Sequence, residues 1–512
     1  MKVRIQDKRL KRESSWHLSL PNEWDIPVTF IANEEISLEK TAVDELSALI
    51  ETQATVNRLQ KEAPGFFDES LENRINQVVL TPDFHKGSGV PIGTVIKSSG
   101  FILPQAVGND VNCGMRLSAT SINVDQLRSG LDDLEKELRR IFFEGGRDIP
   151  MTRSQRMALL QYGLPGLIDT MNEANGKGLW AEMQEDREIA ALDKMHGSGS
   201  YAVKDIFGLE EYLKRSEGAT HDSIIGNVGG GNHFAEIQYV RKILNPAAAY
   251  AWGLKEGQVV MMIHSGSLGL GHCTGRFAMD TMKAIYPEKS KYPDNGVFML
   301  PDGDRFENQV KDYFCSLANS ANFAFGNRFF LDKMILRGLK NVMNTDVESS
   351  VIYDAPHNLV WEKDGSFVHR KGATPAGGWA QAQDTAYRHW GEPVIVPGSM
   401  GAPSYLLLGQ GNEQTLCSAC HGAGRQIARG AAMKVDDEEI EEFLENFRIV
   451  TALDHRNPAV KGRRDIMEKW KGQLKQEAPA TYKNITPVIE TLTTANAASP
   501  VVELYPLMTV KN

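Results

Sequence analysis

Cysteine is scarce. Five residues, at positions 113, 273, 315, 417 and 420, are spread over a chain of 512. An odd and sparse set of this kind argues against a disulfide framework and for a reducing cytoplasm, where the chain is expected to reside. Long hydrophobic runs are missing too: nothing approaches ~18 uninterrupted apolar residues, so no membrane span is expected. The opening MKVRIQDKRLKRESSWHLSL is basic, but no apolar stretch follows it, and it does not read as a secretory signal. Low-complexity tracts and solenoid-type repeats are absent. An excess of positive charge is lacking as well, with a formal net charge of −10. Such a balance does not advertise a nucleic-acid binder, although a local basic groove can sit on an acidic protein.

What is present suffices for a sizeable core: 41% of residues are hydrophobic and 8% aromatic. Ile36 to Lys61 has apolar positions at helical spacing and predicts a helix. From Thr81 to Arg116 short apolar runs, Pro91–Ile96 and Phe101–Val107, alternate with glycine-rich turns and predict strands and loops. Residues 124–213 return to a helical texture, with Leu127, Leu131, Leu134, Leu138 and Ile141 on one face, and read as a helical insertion. Ile224 to Gly275 gives strands and glycine turns again, with Val259–Ile263 delivering His264 at its end. Residues 276–345 read as helical. Ser349 to Gly372 predicts two strands with His357 between them, and Pro393 to Leu408 continues the sheet. Residues 431–476 read as a helical segment, and the terminal VVELYPLMTVKN as a strand. The expectation is one α+β catalytic domain over residues 1–512 with helical insertions.

The stretch TLCSACHGAGRQIAR, Thr415 to Arg429, sets His421 between a Cys-bearing turn and a glycine turn, with Arg425 four residues on. A histidine in close-approach backbone beside a cation suits attack on a phosphate. CSACH also matches the C-x-x-C-H pattern of covalent haem attachment. We reject that reading, because no export signal is seen and Gly422–Arg425 looks built for an anion. A structural zinc site would need a second Cys pair, which is absent. Cys417 and Cys420 are therefore read as a tight, packed turn.

Other polar residues recur beside glycine or at strand ends: Asp110 and Cys113 in GNDVNCG, His233 in GGGNHF, His264 in HSGS and His357 in DAPHN. Together they could hold two ions of a borderline transition metal, with the thiolate bridging. Their separation in sequence means that local spacing cannot decide between a joint site and five separate structural roles. Cys315 is read as a small buried hydrophobe. His17, His196, His221 and His455 are read as structural, hydrogen-bonded residues.

With these residues laid out, the chain resembles the RtcB family of RNA ligases. The resemblance runs from about Pro82 to Lys511 through PDFHKGSG, VGNDVNCGM, GGGNHFAEI, HSGSLGLG, NFAFGNR, DAPHN, HRKGAT, PGSMGAPSY, CHGAGR and VKN, in that order. It implies a mixed β-sheet core around a central metal and nucleotide cleft. It implies joining of an RNA 3′-phosphate or 2′,3′-cyclic phosphate to a 5′-hydroxyl, using GTP and two Mn²⁺ ions, in RNA repair or tRNA splicing; the need for an archease-type activator as a further partner is left open by the sequence. Asp110, Cys113 and His233 would hold the first ion, with Cys113 bridging to a second held by His264 and His357. His421 would be the nucleophile that carries GMP. The GTP pocket would be drawn from Asn232, His233, Phe234, Ala235 and Glu236, from His357 and Asn358, and from Pro397, Gly398, Ser399, Met400 and Ser404. His421, Gly422, Ala423, Gly424, Tyr482 and Lys511 would complete it. Phe234 and Tyr482 would stack on guanine, while Glu236 and Lys511 would read its edge. Arg425, Arg370 and Lys371 are candidate RNA-phosphate contacts, with surface solvation the default reading for the last two.

Two departures stand out. Leu268 occupies the position after HSGS where the family usually has Arg, which removes about one charge-assisted bond to phosphate, roughly 1.5–3 kcal/mol. Asn109 and Asn112 stand where small or apolar residues are usual. The expectation is that guanylylation is kept and RNA docking is altered, as in a specialised paralogue. The competing readings are a metal-dependent phosphoesterase or cyclic-phosphate hydrolase, and an RNA-binding relative with impaired sealing.

Overall fold

The structure is a computed structural model and describes residues 7–174, 176–214, 218–288, 291–427 and 437–512. Two large sheets dominate the described residues. The seven-stranded sheet runs, in spatial order, Lys11–Arg12, His17–Ser19, Val28–Ile31, Arg74–Ser88, Val90–Ser99, Ser366–Lys371 and Asn358–Lys363. The eight-stranded sheet runs Ser349–Pro356, Gly114–Asn123, Gln258–Ser265, Phe234–Ile243, Ala498–Val510, Ser404–Gly409 and Pro393–Val396, with Arg448–Val450 joining Ala498–Val510 in parallel.

Gln258–Ser265 is central in the second sheet and buried along nearly its whole length, which is why it reads as QVVMMIHS without polar alternation. Behind it lies Glu307–Met343, a helix of 37 residues, about 55 Å long at 1.5 Å per residue. Its middle is buried all round. It packs against Leu131–Phe143, Arg153–Asp169 and Gly269–Ile285. Its buried polar residues therefore have to be satisfied from neighbouring loops, as Asn319 and Asn322 are by the Leu160 carbonyl.

Several predicted elements differ in detail. Ile36 to Lys61 is two helices, Lys40–Ile50 and Thr52–Glu62, meeting at Glu51. Ser349 to Gly372 holds three strands rather than two, because Asp364 and Gly365, both at positive φ, close a two-residue hairpin between Asn358–Lys363 and Ser366–Lys371. Of Phe101–Val107 only Phe101–Ile102 is strand, since Pro104 opens a 3₁₀ turn. The stretch 276–345 is interrupted between Ile285 and Glu307. Residues 124–213 are mainly helical. In the 431–476 segment, residues 431–436 lie outside the described residues, as does Arg429. The rest combines helices Asp437–Asn446, Pro458–Lys461 and Arg464–Lys475 with the strand Arg448–Val450. No helix among the described residues is long and apolar enough to cross a membrane.

Candidate active site

Strand register explains how residues far apart in sequence meet. Gly114 pairs with Ser265 and with Pro356, and Phe234 pairs with His264. Cys113 immediately precedes its strand, His233 precedes its own, His264 is the last residue but one of the central strand, and His357 follows Pro356. Antiparallel pairing thus puts all four at one end of adjacent strands. Val510 pairs with Ala235, so Lys511 arrives at the same end.

The side chains converge. Cys113 Sγ lies 3.2 Å from His233 Nε2 and 3.3 Å from His264 Nε2. His264 Nε2 lies 3.2 Å from His357 Nε2, and Asp110 Oδ2 lies 2.8 Å from His233 Nε2. His264 Nδ1 is 3.1 Å from the Asn232 carbonyl, to which it donates its proton. Its Nε2 is then a lone pair aimed at a sulfur and another imidazole nitrogen. A thiol, three imidazole nitrogens and a carboxylate crowded in this way need either shared protons or a cation between them, and the donor set fits a metal centre. Its mixed S, N and O character favours a borderline transition metal. The outer Nδ1 atoms of His233 and His357 are buried with no partner among the described residues. Those two rings are therefore oriented from the cluster side.

Electrostatics follow from burial. Burial pushes the Cys113 thiol well above its ordinary value, and Asp110 adds to this, so a proton must leave when a cation binds. Burial also opposes ionisation of Asp110, but the facing His233 outweighs it and the carboxyl stays below its ordinary value. Burial and the neighbouring His233 and His421 hold His264 well below the usual imidazole range. Burial, His421 and His264 do the same for His357.

His421 follows the short strand Ser418–Cys420, which pairs with Ala373–Pro375. Its Nδ1 lies 2.6 Å from Asp83 Oδ2 and 2.8 Å from the Gly372 carbonyl. Its ring centroid is 4.7 Å from that of His357 and 6.3 Å from that of His264. Anchoring Nδ1 leaves Nε2 as the free nitrogen beside the cluster. Burial disfavours the imidazolium, but Asp83 more than compensates, so His421 is raised and Asp83 lowered. Two glycines make this approach feasible. A Cβ on Gly372, at φ 66°, would sit 2.3 Å from Ile92 and 3.1 Å from the His421 ring. One on Gly424, at φ 75°, would sit 2.3 Å from the Asp83 carbonyl oxygen.

Asp83 was not assigned a role from sequence, although it lies in PDFHKGSG. It sits where the Arg74–Ser88 strand loses register with its neighbour between Leu80 and His85, an irregularity that aims its side chain at His421. Arg328, in NFAFGNR, was also missed. It is fully buried and donates to the Asn112 and Ser265 carbonyls at 2.7 and 3.0 Å while pairing with Asp354 at 2.8 Å. It therefore ties together the backbones that carry Cys113, His264 and His357. Asn112, at φ 51°, fits the left-handed turn required there and accepts from Arg328.

Beside the cluster opens a cleft of about 1180 Å³. Asn232, Phe234, Glu236, Pro397, Gly398, Ser399, Met400, His421, Gly422, Ala423, Gly424, Tyr482 and Lys511 line it. Glu236 accepts from Gln238 and Thr509, and burial pushes its carboxyl up to about 7 despite those bonds and Lys511. Lys511 Nζ donates to the Gly231 carbonyl at 2.7 Å. Five predicted pocket residues are not on the wall: His233 and His357 stay within the strand-end cluster, and Ala235, Ser404 and Asn358 lie behind it. Ala235 points to the opposite face of its strand from Phe234 and Glu236 and is fully buried. Ser404 is buried behind the wall, where it accepts from Gln238 and the Gly398 amide. Asn358 joins the Asp110 carbonyl to the Gly372 amide as scaffold.

The phosphate candidates separate. Arg425 reaches the cleft, but it donates to Glu477, the Gln476 carbonyl and Tyr482, and its guanidinium lies 5.1 Å over the Tyr482 ring. It braces that wall instead of offering free donors. Arg370 is buried, bonded to Ser418 Oγ and the Leu416 carbonyl, so neither solvation nor a phosphate role describes it. Lys371 does line the cleft, and burial pulls its pKa down to about 8. Leu268 caps the Gly269–Ile285 helix at φ 52° and packs on the apolar core beside Gly229, off the cleft wall.

Cys420 is buried and Cys417 half-buried at φ 47°, a tight turn as read from sequence. Cys315 is only partly buried, its thiol 3.2 Å from the Asp205 carbonyl, which corrects the reading of a buried hydrophobe. His221 is exposed near Asp148. His196 accepts from the Trp361 indole, and His455 stacks on Trp470.

Residues 69–512 match the family described as "tRNA-splicing ligase RtcB". Proteins named tRNA-splicing ligase RtcB from Thermococcus kodakarensis and Archaeoglobus fulgidus are each 30% identical to this chain. The first alignment covers 95% of this chain and 97% of the relative, the second 98% of both. The same name is carried by an Aeropyrum pernix protein, 33% identical over 70% of this chain and 74% of its own. A match over this much of the chain, containing both the strand-end cluster and the His421 turn, establishes that the chain belongs to the RtcB family.

Proposed function

We propose that this chain is a GTP- and Mn²⁺-dependent RNA ligase, acting as one catalytic domain in tRNA splicing or RNA repair. It joins RNA 3′-phosphate or 2′,3′-cyclic phosphate ends to 5′-hydroxyl ends. His421 Nε2 attacks the α-phosphate of GTP, pyrophosphate leaves, and GMP is carried on the imidazole. A 2′,3′-cyclic phosphate is first opened by water to the 3′-phosphate; the RNA 3′-phosphate then takes GMP from His421, and the 5′-hydroxyl displaces GMP to form the phosphodiester. Asp110, Cys113, His233, His264 and His357 would hold two manganese ions, which supply charge neutralisation at the phosphates.

The observation that carries this reading is the anchoring of His421. Asp83 and the Gly372 carbonyl occupy Nδ1, which fixes the ring with its other nitrogen free beside the metal-ligand cluster. An imidazole so held is a nucleophile in place. Glu236 and Lys511 lie where they can accept from and donate to a guanine edge, and Phe234 and Tyr482 offer stacking faces on the same cleft. Incubation with α-labelled GTP and Mn²⁺ tests the proposal. Acid-labile label is expected on the wild-type chain and not on His421→Ala. Label retained by that variant would remove His421 as nucleophile.

A further inference from the structure

His85 sits on the wall of the same cleft and has no part in the chemistry above. It lies two residues beyond Asp83 and is buried to 7% exposure. Its Nδ1 is 2.7 Å from the Asp83 carbonyl oxygen, so that nitrogen carries the proton and donates it. Nε2 is then a lone-pair acceptor, with no protein partner among the described residues. One residue thereby sets two imidazoles: the Asp83 carboxylate holds His421, and the Asp83 carbonyl holds His85. Their protonation differs. Burial drives His85 down to about 4, with Lys483 and His421 adding to the effect against Asp83, so the ring is neutral throughout the physiological range.

A neutral acceptor fixed beside a phosphate-transfer nucleophile cannot serve the phosphate. Phosphate oxygens are themselves acceptors, and two lone pairs facing each other repel. The polar groups near a nucleotide phosphate that can donate are the ribose hydroxyls. We propose that His85 Nε2 accepts a hydrogen bond from a ribose hydroxyl of the nucleotide or RNA end held against His421. His85 would then be a substrate-contacting residue that selects ribose over deoxyribose. The assignment rests on the guanylyl-transfer reading above. Two substrates present such a hydroxyl at the guanylyl-transfer steps, the guanosine nucleotide and the 3′-terminal nucleotide of the RNA; the RNA 5′-hydroxyl end is needed only for the later sealing step.

Equilibrium binding to the full chain with Mn²⁺ separates these sources and does not require turnover. The probes are GMP, 2′-deoxy-GMP and 3′-deoxy-GMP, and an RNA oligonucleotide ending in 3′-phosphate with either ribose or 2′-deoxyribose at its last position. Each is measured on wild type, His85→Phe, which removes the acceptor in similar volume, and His85→Gln, which returns one. The expected result is that wild type loses about tenfold in affinity when the contacted hydroxyl is deleted from one of the two substrates. His85→Phe should bind the hydroxyl-bearing and deoxy forms of that substrate equally, and His85→Gln should recover discrimination. Equal losses in wild type and His85→Phe for every deleted hydroxyl would overturn the proposal, as would a wild type indifferent to all of them or binding neither probe. Thermal melting and Mn²⁺ titration of His85→Phe check that the variant is folded and loaded. Whether wild type takes label from α-labelled GTP is scored separately, so failure of the ligase reading is told apart from failure of the His85 contact.

Discussion

Asp83 Oδ2 lies 2.6 Å from His421 Nδ1, both groups buried, one from within a long strand of the first sheet and the other from a turn more than three hundred residues later. The pair decides which imidazole nitrogen faces the cluster of Cys113, His264 and His357, and it raises the basicity of that nitrogen.

Asp83→Asn should lower guanylylation of His421 by about 10- to 100-fold, the range for losing a group that orients a reactive side chain. The pH profile carries the sign. His421 is raised above its ordinary value by Asp83 against burial, so the neutral nucleophile accumulates only as pH rises through that raised value. Without the carboxylate, only the Gly372 carbonyl still opposes burial, and the midpoint should fall. Protein-bound label measured across pH should therefore show a lower plateau and an acid limb displaced to lower pH. An unmoved limb would mean that Asp83 does not set the charge of His421.

Cys113→Ala should lose Mn²⁺ binding and guanylylation together. Because burial and Asp110 hold the Cys113 thiol above its ordinary value, the ion must displace a proton, and affinity should weaken as pH falls. Calorimetric titration in buffers of different ionisation enthalpy should reveal that proton in wild type. A variant that binds Mn²⁺ and labels normally would take the thiolate out of the centre.

Arg328→Met removes the cation that pairs with Asp354 and ties Asn112 to Ser265. It leaves a buried carboxylate opposed only by Arg116, 3.2 Å away. Loss of one partner from a buried pair costs about 3–5 kcal/mol, and urea unfolding should report a loss of that order. Mn²⁺ affinity should fall in the fraction that remains folded, since three ligand-bearing backbones lose a common anchor.

Glu236→Gln should erode preference for GTP over ATP, as read by protein-bound label with each nucleotide. Burial places the Glu236 carboxyl near 7 in the free chain, and the ionised form is the acceptor for a guanine edge. Wild-type GTP affinity should therefore decline as pH drops below about 7, and the variant's should be flat over that range.

Leu268→Arg should raise joining of generic RNA ends without changing labelling by GTP. Leu268 caps its helix at φ 52° and tucks into the core rather than the cleft, so a long cation there has solvent on one side to extend into. Unchanged joining in a ligation assay would mean that docking relies on other groups, such as Lys86, Arg276 and Lys371 on the cleft wall.

Much was legible in the linear chain. Glycine-flanked His, Cys and Asp at strand ends marked the candidate ligands one by one, because reactive side chains need turns that let backbone approach closely. The apolar run before His264 marked a central strand. The hairpin at Asp364 and Gly365 was legible in principle, since two residues tolerant of positive φ joined two β-rich runs, yet it was read through as one strand.

What sequence alone determined was an inventory: which residues could bind a metal, attack a phosphate or stack on a base, and which local element carried each. The tertiary structure decided partnership, since strand register alone brings Cys113, His233, His264 and His357 to one end of a sheet. It also decided which polar groups were already spent. Arg425 and Arg370 are cations in the sequence, and only packing commits them to Glu477, Ser418 and backbone carbonyls. Asp83 is an ordinary carboxylate until a lapse in strand pairing turns it toward His421. Hydrogen-bond partners across hundreds of residues depend on register and burial, and neither quantity is written in local composition.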